Sequence, residues 1–595
     1  MQNAATVLDV LRERGRRGLP CIELYRQLFN PDLYLMAYGR IYANHGAMTA
    51  GVDGETADGM TLGRIGRIIG ALRHERYRFT PTRRVYIPKK DGKTLRPLGL
   101  PSWADKLVGE VVRLLLEAYY EPRFSARSHG FRPGRGCHTA LTEVATYWTG
   151  TTWFVEGDLA DCFGSFDHEV MLSILGEHIH DNRFLRLLRN MLHAGYLEDW
   201  EFNATLSGVV QGGVASPVLS NIYLDRLDRF VETQLIPEYT RGKGRAHNPA
   251  YRRVRTEIGH ARCRCDQPEA RRLRQQLRTL SRGNTHDPGY RRLWYVRYAD
   301  DHLLGFIGPR DEAEQIKVRL AQFLRDDLKL ELNQSKTLIT HGRTGAARFL
   351  GYEITVQHAD HKIANGRRSV NGRIALRVPS DVIASKSAPF LRLGKPERRP
   401  DLLNLTDHEI ISRYGAQWRG YLQYYLLARN VWSLNRLQWA MLTSMLKTLA
   451  GKHRSTVSKM ATKYQAAIDT PSGPRVCFQA TVERADRKPL VARFGGIPLK
   501  RQRKAVLDDR QPVPLVGRRK GSELIARLRR GRCELCEQRS TVDVHQVSKL
   551  ATLSTPGRPQ PVWAQQMARM RRKTLIVCPS CHNGIHHRQP ANTLT

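Results

Sequence analysis

From Trp294 to Phe306 the chain reads Trp-Tyr-Val-Arg-Tyr-Ala-Asp-Asp-His-Leu-Leu-Gly-Phe, two runs of mostly apolar and aromatic side chains that meet at a pair of acids. Such runs predict strands, and the break between them predicts a hairpin with Asp300 and Asp301 at its tip. Adjacent carboxylates repel unless positive charge lies between them, and a divalent ion that prefers oxygen ligands can supply it. Asp also suits a solvated turn, so the pair by itself leaves both readings open. A partner is available in Thr152-Trp153-Phe154-Val155-Glu156-Gly157-Asp158, a strand-like run that ends on a third carboxylate. Three carboxylates on adjoining strands can hold two Mg2+ ions and stabilise both the entering and the leaving oxygen of an in-line phosphoryl transfer.

The charge of the chain indicates the kind of substrate. Its 96 Lys and Arg against 56 Asp and Glu leave a net +40, an excess suited to tracking phosphate backbones and unnecessary for an ordinary small-molecule enzyme. At 595 residues it is too long for one core and predicts several domains. No stretch approaches the ~18 apolar residues that span a bilayer, and Arg12, Arg14, Arg16 and Arg17 are followed by no apolar core, so a soluble chain without a membrane partner is expected. Four of the ten cysteines form two C-x-x-C pairs, which argues for a reducing compartment and metal-bound thiolates; Cys21, Cys137, Cys162 and Cys477 read as isolated packing residues.

In chain order, residues 1–80 are helical in pattern up to Gly51-Val52-Asp53-Gly54. Arg83 to Pro101 reads as two strands about an Asp-Gly turn, with cations including Lys89, Lys90 and Arg96 on its arms. Ser128-His129-Gly130-Phe131-Arg132-Pro133-Gly134-Arg135-Gly136 is a Gly/Arg loop able to bring N–H groups and guanidinium to phosphate. Gln211-Gly212-Gly213 precedes an apolar helix that starts at Ser216-Pro217, read as an N-cap with Pro at the first helical position. Thr240 to Arg292 is too long for a loop and predicts a helix of its own, with Leu273, Leu277 and Leu280 on one face and Arg271, Arg272, Arg274 and Arg278 around it, suited equally to RNA or to solvent. Arg348-Phe349-Leu350-Gly351-Tyr352 reads as a further strand of the same sheet. Beyond about 380 the pattern is helical, and from 471 to 530 it is a basic Arg/Lys/Pro/Gly segment.

Tyr298-Ala299-Asp300-Asp301 with Asp158 upstream resembles the catalytic set of reverse transcriptases, and the flanking stretches resemble group II intron-encoded proteins. The resemblance implies that Lys89, or Lys90 in its place, and Arg96 contact the incoming nucleotide. It also implies that Phe163 lies beneath the nucleotide sugar and excludes a 2′-hydroxyl, that Gln211 and Gly212 line the primer and nucleotide loop, and that Lys336 contacts primer or nucleotide. Tyr424-Tyr425, Leu446-Lys447-Thr448-Leu449-Ala450 and Lys452-His453-Arg454 look like the thumb region called domain X in intron maturases.

At the other end, Cys533-x-x-Cys536 and Cys578-x-x-Cys581 have the composition of a closed tetrahedral Zn2+ site. His582 and His586, four apart, share a helix face, and His545 ends the β-like run Thr541-Val542-Asp543-Val544-His545. A strand histidine with a helical histidine pair resembles HNH nucleases, which implies His545 as the catalytic residue and His582 and His586 as ligands of a divalent ion. Many relatives carry two consecutive histidines at the strand; this chain has His545-Gln546, so one of those two roles lacks its usual residue.

The expected fold is α+β: a right-hand polymerase of fingers, palm and thumb, with a small zinc-stabilised ββα-metal nuclease. The expected divisions are an N-terminal extension (1–80), fingers and palm (81–375, with the insertion at 240–292), thumb or domain X (376–470), a basic DNA-binding segment (471–530) and the nuclease (531–595). The expected work is intron mobility: binding group II intron RNA, assisting its splicing, cutting double-stranded target DNA and copying the inserted RNA with dNTPs, in a bacterial cytoplasm or an organelle matrix. A homodimer is compatible with this reading. A maturase that only folds RNA, or a polymerase of another retroelement such as a retron, are the alternatives, disfavoured respectively by the intact acids and by the domain X and nuclease likenesses.

Overall fold

The computed structural model describes residues 3–88, 94–199, 201–205, 207–285, 287–364, 367–368, 370–471, 473–484, 488–503, 522–553 and 560–587. Its centre is a four-stranded antiparallel sheet in the order Arg292–Tyr298, Asp301–Ile307, Trp153–Gly157, Ile339–His341. Side chains alternate between its faces. Val155, Leu293, Tyr295, Leu304 and Phe306 join one core, while Phe154, Val296 and Leu303 join another. Because both faces are covered, the strands read as nearly continuous apolar runs.

Beneath the first face lie helices Ser216–Phe230 and Arg310–Leu328, with Phe230 and Phe323 stacked at 4.1 Å. The same core takes in helix Trp103–Tyr120, which is buried almost all round; Ser102 caps it by accepting the Asp105 N–H at 3.2 Å. N-terminal helices Ala4–Arg16 and Pro31–Ile41 pack on it, and Gly15 approaches so closely that a Cβ there would lie 2.0 Å from the Tyr119 carbonyl oxygen. Strands Thr82–Pro88 and Leu95–Leu100 pair antiparallel as the basic run predicts; Lys89, Lys90 and the Asp-Gly turn lie outside the described residues.

The second face meets helix Cys137–Tyr147 and a separate three-stranded sheet, Ala347–Phe349, Tyr352–Val356 and Ile374–Arg377. Here the structure departs from the expectation of one strand over Arg348–Tyr352. Leu350 and Gly351 turn the chain with φ of +48° and +71°, and the central sheet is completed by Ile339–His341. Helices Asp407–Tyr425 and Asn435–Lys452 follow, the first begun by a capping box in which Thr406 and Glu409 satisfy each other's N–H. Part of the segment expected as a basic linker is folded: Gln465–Thr470, Gly473–Val482 and Leu490–Gly495 form an antiparallel sheet on helix Asp407–Tyr425. A Cβ at Gly415 in that helix would stand 2.0 Å from the Arg493 carbonyl oxygen. Lys504 and Arg518 to Lys520 lie outside the described residues.

The 240–292 insertion holds two helices where the leucines predict one. Pro249–Cys263 and Gln267–Thr279 share a small core of Val254, Ile258, Ala261, Ala270 and Leu273, with Leu277 and Leu280 against it. The C-terminal module pairs Asp543–Gln546 with Thr574–Val577 and follows with helix Pro579–His586, a ββα unit. Among the described residues no helix is long and apolar enough to cross a membrane.

One buried ion pair ties the central hairpin to its surroundings. Arg297 and Asp228 are fully buried, and all five guanidinium N–H groups meet acceptors: Asp228 Oδ1 at 2.7 Å and Oδ2 at 2.6 Å, Asn221 Oδ1 at 3.2 Å, Ser128 Oγ at 2.9 Å and the Ala299 carbonyl at 2.9 Å. Arg297→Met leaves a charged, unpaired Asp228 in the core and is expected to cost about 3–5 kcal/mol, seen as a lower denaturation midpoint. Arg297→Met combined with Asp228→Leu is expected to recover most of that loss; an Arg297→Met protein as stable as the parent contradicts this account.

Candidate functional site

The central hairpin has the tightest connection a pair of strands allows. Tyr298 pairs with Asp301, so Ala299 and Asp300 alone make the turn. Ala299 takes a φ of +56°, a conformation costly for a residue with a Cβ, and it is held there from two sides. Arg297 grips its carbonyl, and the Gly130 backbone lies against its nitrogen, so close that a Cβ on Gly130 would be 2.2 Å away. Gly130 is itself fixed by the amide of Asn221, which donates to its carbonyl at 2.9 Å. The arginines of this Gly/Arg loop differ from the sequence expectation. Arg132 is buried and bonds Glu121 and the Ser125 and Ser128 carbonyls, and Arg135 turns back to the Ala126 carbonyl, so their guanidinium groups hold the loop together.

On the neighbouring strand, Gly157 stands opposite His302, and Asp158 is the next residue. A Cβ on Gly157 would fall 1.9 Å from His302 Nε2, which ties the glycine beside Asp158 to the buried ring facing it. Burial, reinforced by the Arg297 charge, brings the His302 pKa down to about 4, so the ring adds no charge beneath the acids at neutral pH. Lys336 donates from Nζ to Asp158 Oδ2 at 2.7 Å, and that bond raises the lysine pKa, with the charges of Asp158, Asp301 and Asp300 adding to it. Burial and then the Asp158 charge push the Asp300 carboxyl above its ordinary value, while Arg96 and Lys336 pull it back. Asp158, Asp300, Asp301, Arg96 and Lys336 therefore share one electrostatic neighbourhood.

Phe163 sits half-buried on the short helix Cys162–Ser165, its ring edge-on to Phe131 at 6.4 Å and to Phe166 at 6.2 Å. Asp161 before it has a φ of +42° and accepts from Gln211 Nε2 at 3.4 Å. The Gln211 carbonyl in turn accepts the Gly99 N–H at 2.8 Å, joining this loop to the basic hairpin. Gly212 has a φ of +101°, and a Cβ on it would press on Leu98 at 3.0 Å. The following helix is capped differently from the sequence expectation: Ala215 is the N-cap, and Ser216 donates from Oγ to the Val210 carbonyl at 2.7 Å.

In the C-terminal module two donor sets form. Cys533, Cys536, Cys578 and Cys581 bring four sulfurs within 4.8 Å of one another. His545, His582 and His586 form the second set, joined by a carboxylate with no warning in the local sequence, that of Asp58. His582 also faces Asp543 Oδ2 through Nδ1 at 3.2 Å; Asp543 lies two residues before His545 on the same strand face, a spacing from which it could have been read. Of the other groups not picked out beforehand, Arg297 and Asp228 carry no local mark, because an arginine in a strand and an aspartate in a helix are ordinary until they meet.

Three family models match successive parts of the chain. Residues 87–354 match the family model for reverse transcriptase (RNA-dependent DNA polymerase), 372–483 that for type II intron maturase, and 533–582 that for the AI2M/AI1M-like HNH endonuclease. The "Uncharacterized 91 kDa protein in cob intron" of Schizosaccharomyces pombe is 31% identical over 100% of this chain and 73% of its own. The "Putative COX1/OXI3 intron 1 protein" of Saccharomyces cerevisiae is 30% identical over 98% of this chain and 70% of its own. Among solved structures, the telomerase of Candida albicans in complex with a TWJ fragment of telomeric RNA overlaps 65% of this chain and 58% of that one at 12% identity and a TM-score of 0.35, too loose a match to carry an argument. "Group II intron-encoded protein LtrA" of Lactococcus lactis subsp. cremoris is 36% identical over 99% of this chain and 100% of its own length. At that identity across the whole length, the chain belongs to the group II intron-encoded proteins, with a reverse transcriptase, an intron maturase and an HNH endonuclease domain in one polypeptide.

Proposed function

We propose that Asp158, Asp300 and Asp301 are the DNA-synthesis centre of this reverse transcriptase. The hand-like arrangement has the central sheet as its palm, the hairpin of 82–100 in its fingers and the helices of 376–470 as its thumb. The observation that carries the reading is the register: with Gly157 opposite His302 and Tyr298 opposite Asp301, the strand that leads into Asp158 finishes beside the tip that bears the other two acids. Burial first, and then the Asp158 charge, hold the Asp300 carboxyl above its ordinary value, a penalty that a cation bound among the acids would relieve; Lys336 supplies one positive charge at Asp158. Carboxylate oxygens suit Mg2+, which when bound would stabilise the attacking 3′-oxygen and the leaving phosphate oxygen.

The surrounding residues bind and orient. Lys336 holds Asp158 through their 2.7 Å ion pair and stands close to the primer end. Arg96, exposed on its strand, and Lys89 ahead of it meet the triphosphate of a dNTP. Phe163, held by Phe131 and Phe166, forms the floor under the sugar and leaves no room for a 2′-hydroxyl. Gln211 and Gly212 present backbone to the primer terminus, a role to which the positive φ of Gly212 is suited. The N-terminal extension (1–80) and the thumb bind the intron RNA and assist splicing, and the basic 471–530 segment and the nuclease (531–595) bind double-stranded target DNA. Four cysteine sulfurs fit a structural Zn2+ site that holds the small C-terminal module together. His582 and His586 would hold a divalent ion, which would polarise the target phosphate, and His545 acts as the base in second-strand cutting, with synthesis then copying the inserted RNA. A bacterial cytoplasm or organelle matrix provides the reducing conditions the free thiols need.

Asp300→Ala with Asp301→Ala is expected to lower primer extension on an RNA template at least about a thousandfold, equivalent to about 4 kcal/mol of barrier, with intron RNA binding retained; synthesis at the parental rate removes the assignment. His582→Ala is expected to abolish nicking of the target duplex while primer extension continues; undiminished nicking would show that the ion is held elsewhere.

A further inference from the structure

The nuclease module is docked on the N-terminal extension through backbone as well as side chains. Gly59 N–H donates to the Val544 carbonyl and Val544 N–H to the Met60 carbonyl, each at 3.0 Å, so the loop before helix Leu62–Arg73 adds a rung to the strand that carries His545. Gln546 completes the clasp: its N–H reaches Asp58 Oδ1 at 2.6 Å and its side-chain amide donates to the Tyr42 carbonyl at 2.6 Å. Arg529 and Asp32 pair at 2.6 Å farther along the same contact.

This docking drives the Asp58 carboxylate among the three histidines. Asp58 Oδ2 lies 2.9 Å from His586 Nε2 and 3.4 Å from His582 Nε2, and those two nitrogens are 3.2 Å apart. Ligands bound at about 2.0–2.1 Å from one metal ion stand about 2.9–3.4 Å from each other, whether the angle is octahedral or tetrahedral. The three donor atoms thus have the spacing of one face of a coordination shell. Asp543 behind His582 Nδ1 turns the Nε2 atom of that ring toward Asp58, as a carboxylate behind a ligating histidine does. His545, only 4% exposed, is a second sign: its Nδ1 lies 3.2 Å from Asp58 Oδ1 outside hydrogen-bond geometry, its Nε2 meets no partner among the described residues, and its ring centre lies 5.5 Å from that of His582 and 5.4 Å from that of His586. A buried imidazole with unmet polar atoms facing two others needs a cation, a water or a phosphate among them.

We propose that Asp58 is the third protein ligand of the nuclease metal ion, so that the site is built jointly by the N-terminal extension and the C-terminal module. The inference rests on the assignment of His582 and His586 as ligands. Two imidazoles and one carboxylate would hold the ion, which would polarise a phosphate or a water, with His545 beside them. That donor set selects a transition ion of the Mn2+ to Zn2+ class over Mg2+.

The test is a Co2+ titration of the full-length protein after its thiolates have been saturated with Zn2+, followed by visible d–d absorption. Asp58→Asn keeps the shape and the acceptor for the Gln546 N–H, and primer extension by the same preparation reports that the chain is folded. The expected result is an altered spectrum and an affinity weakened by at least the roughly 10-fold that losing even an outer partner of a metal ligand costs. Unchanged affinity and spectrum in Asp58→Asn, with binding lost in His582→Ala, overturns the role of Asp58 and keeps the histidines. Tighter Co2+ binding in Asp58→Asn also overturns it, since the carboxylate would then be a plug. Unchanged binding in His582→Ala instead overturns the histidine assignment.

Discussion

A guanidinium and a carboxylate taken out of water together are costly unless each of their polar atoms finds a partner. Arg297 and Asp228 meet that condition through segments that are remote in sequence: a strand, the helix Ser216–Phe230, the loop at Ser128 and the hairpin tip at Ala299. Tyr295 adds a further bond to Asp228 at 2.8 Å, so helix and strand are joined at two successive side chains of the same sheet face. None of these pieces can move without leaving a charge or a donor unmet. The positions of Asp300 and Asp301 follow, because the strained Ala299 before them is held by the same guanidinium.

That arrangement explains the uneven legibility of the sequence. The hairpin and the Asp158 strand are readable because a sheet covered on both faces writes itself as apolar runs, and acids interrupting such runs stand out. The cysteine pairs and the His582/His586 spacing are readable for a similar reason, since metal donors recur at fixed short intervals. Arg348–Tyr352 misleads because a hairpin turn built on Leu350 in the left-handed region has the composition of a strand. The strands Gly473–Val482 and Leu490–Gly495 are hidden because few of their positions are buried, Cys477, Ala480, Ala492 and Phe494, while apolar Val476, Val482 and Val491 face outward beside Thr481 and Arg493. Arg132 misleads in the other direction, its loop looking like a phosphate cradle while its guanidinium is buried in neutralising Glu121.

Asp58 marks the limit of local reading. It lies 488 residues from the Gln546 whose N–H it accepts, and nothing in Gly51 to Met60 distinguishes it from Asp53 in the same loop. The module it enters carries Gln546 where a second histidine was expected. Gln546 has instead become a clasp, its backbone on Asp58 and its amide on Tyr42. A departure from the pattern that looked like a defect at one position is, in the folded chain, a contact between the C-terminal module and the segment that holds Tyr42 and Asp58.

The rung between Met60 and Val544 has a mechanical meaning. A nuclease joined by backbone bonds to the segment ahead of the polymerase cannot swing freely on the residues that connect it in sequence. Where both centres engage one duplex, the span between the strand end being extended and the bond being cut on the other strand becomes a ruler length set by the protein, indifferent to the bases it measures.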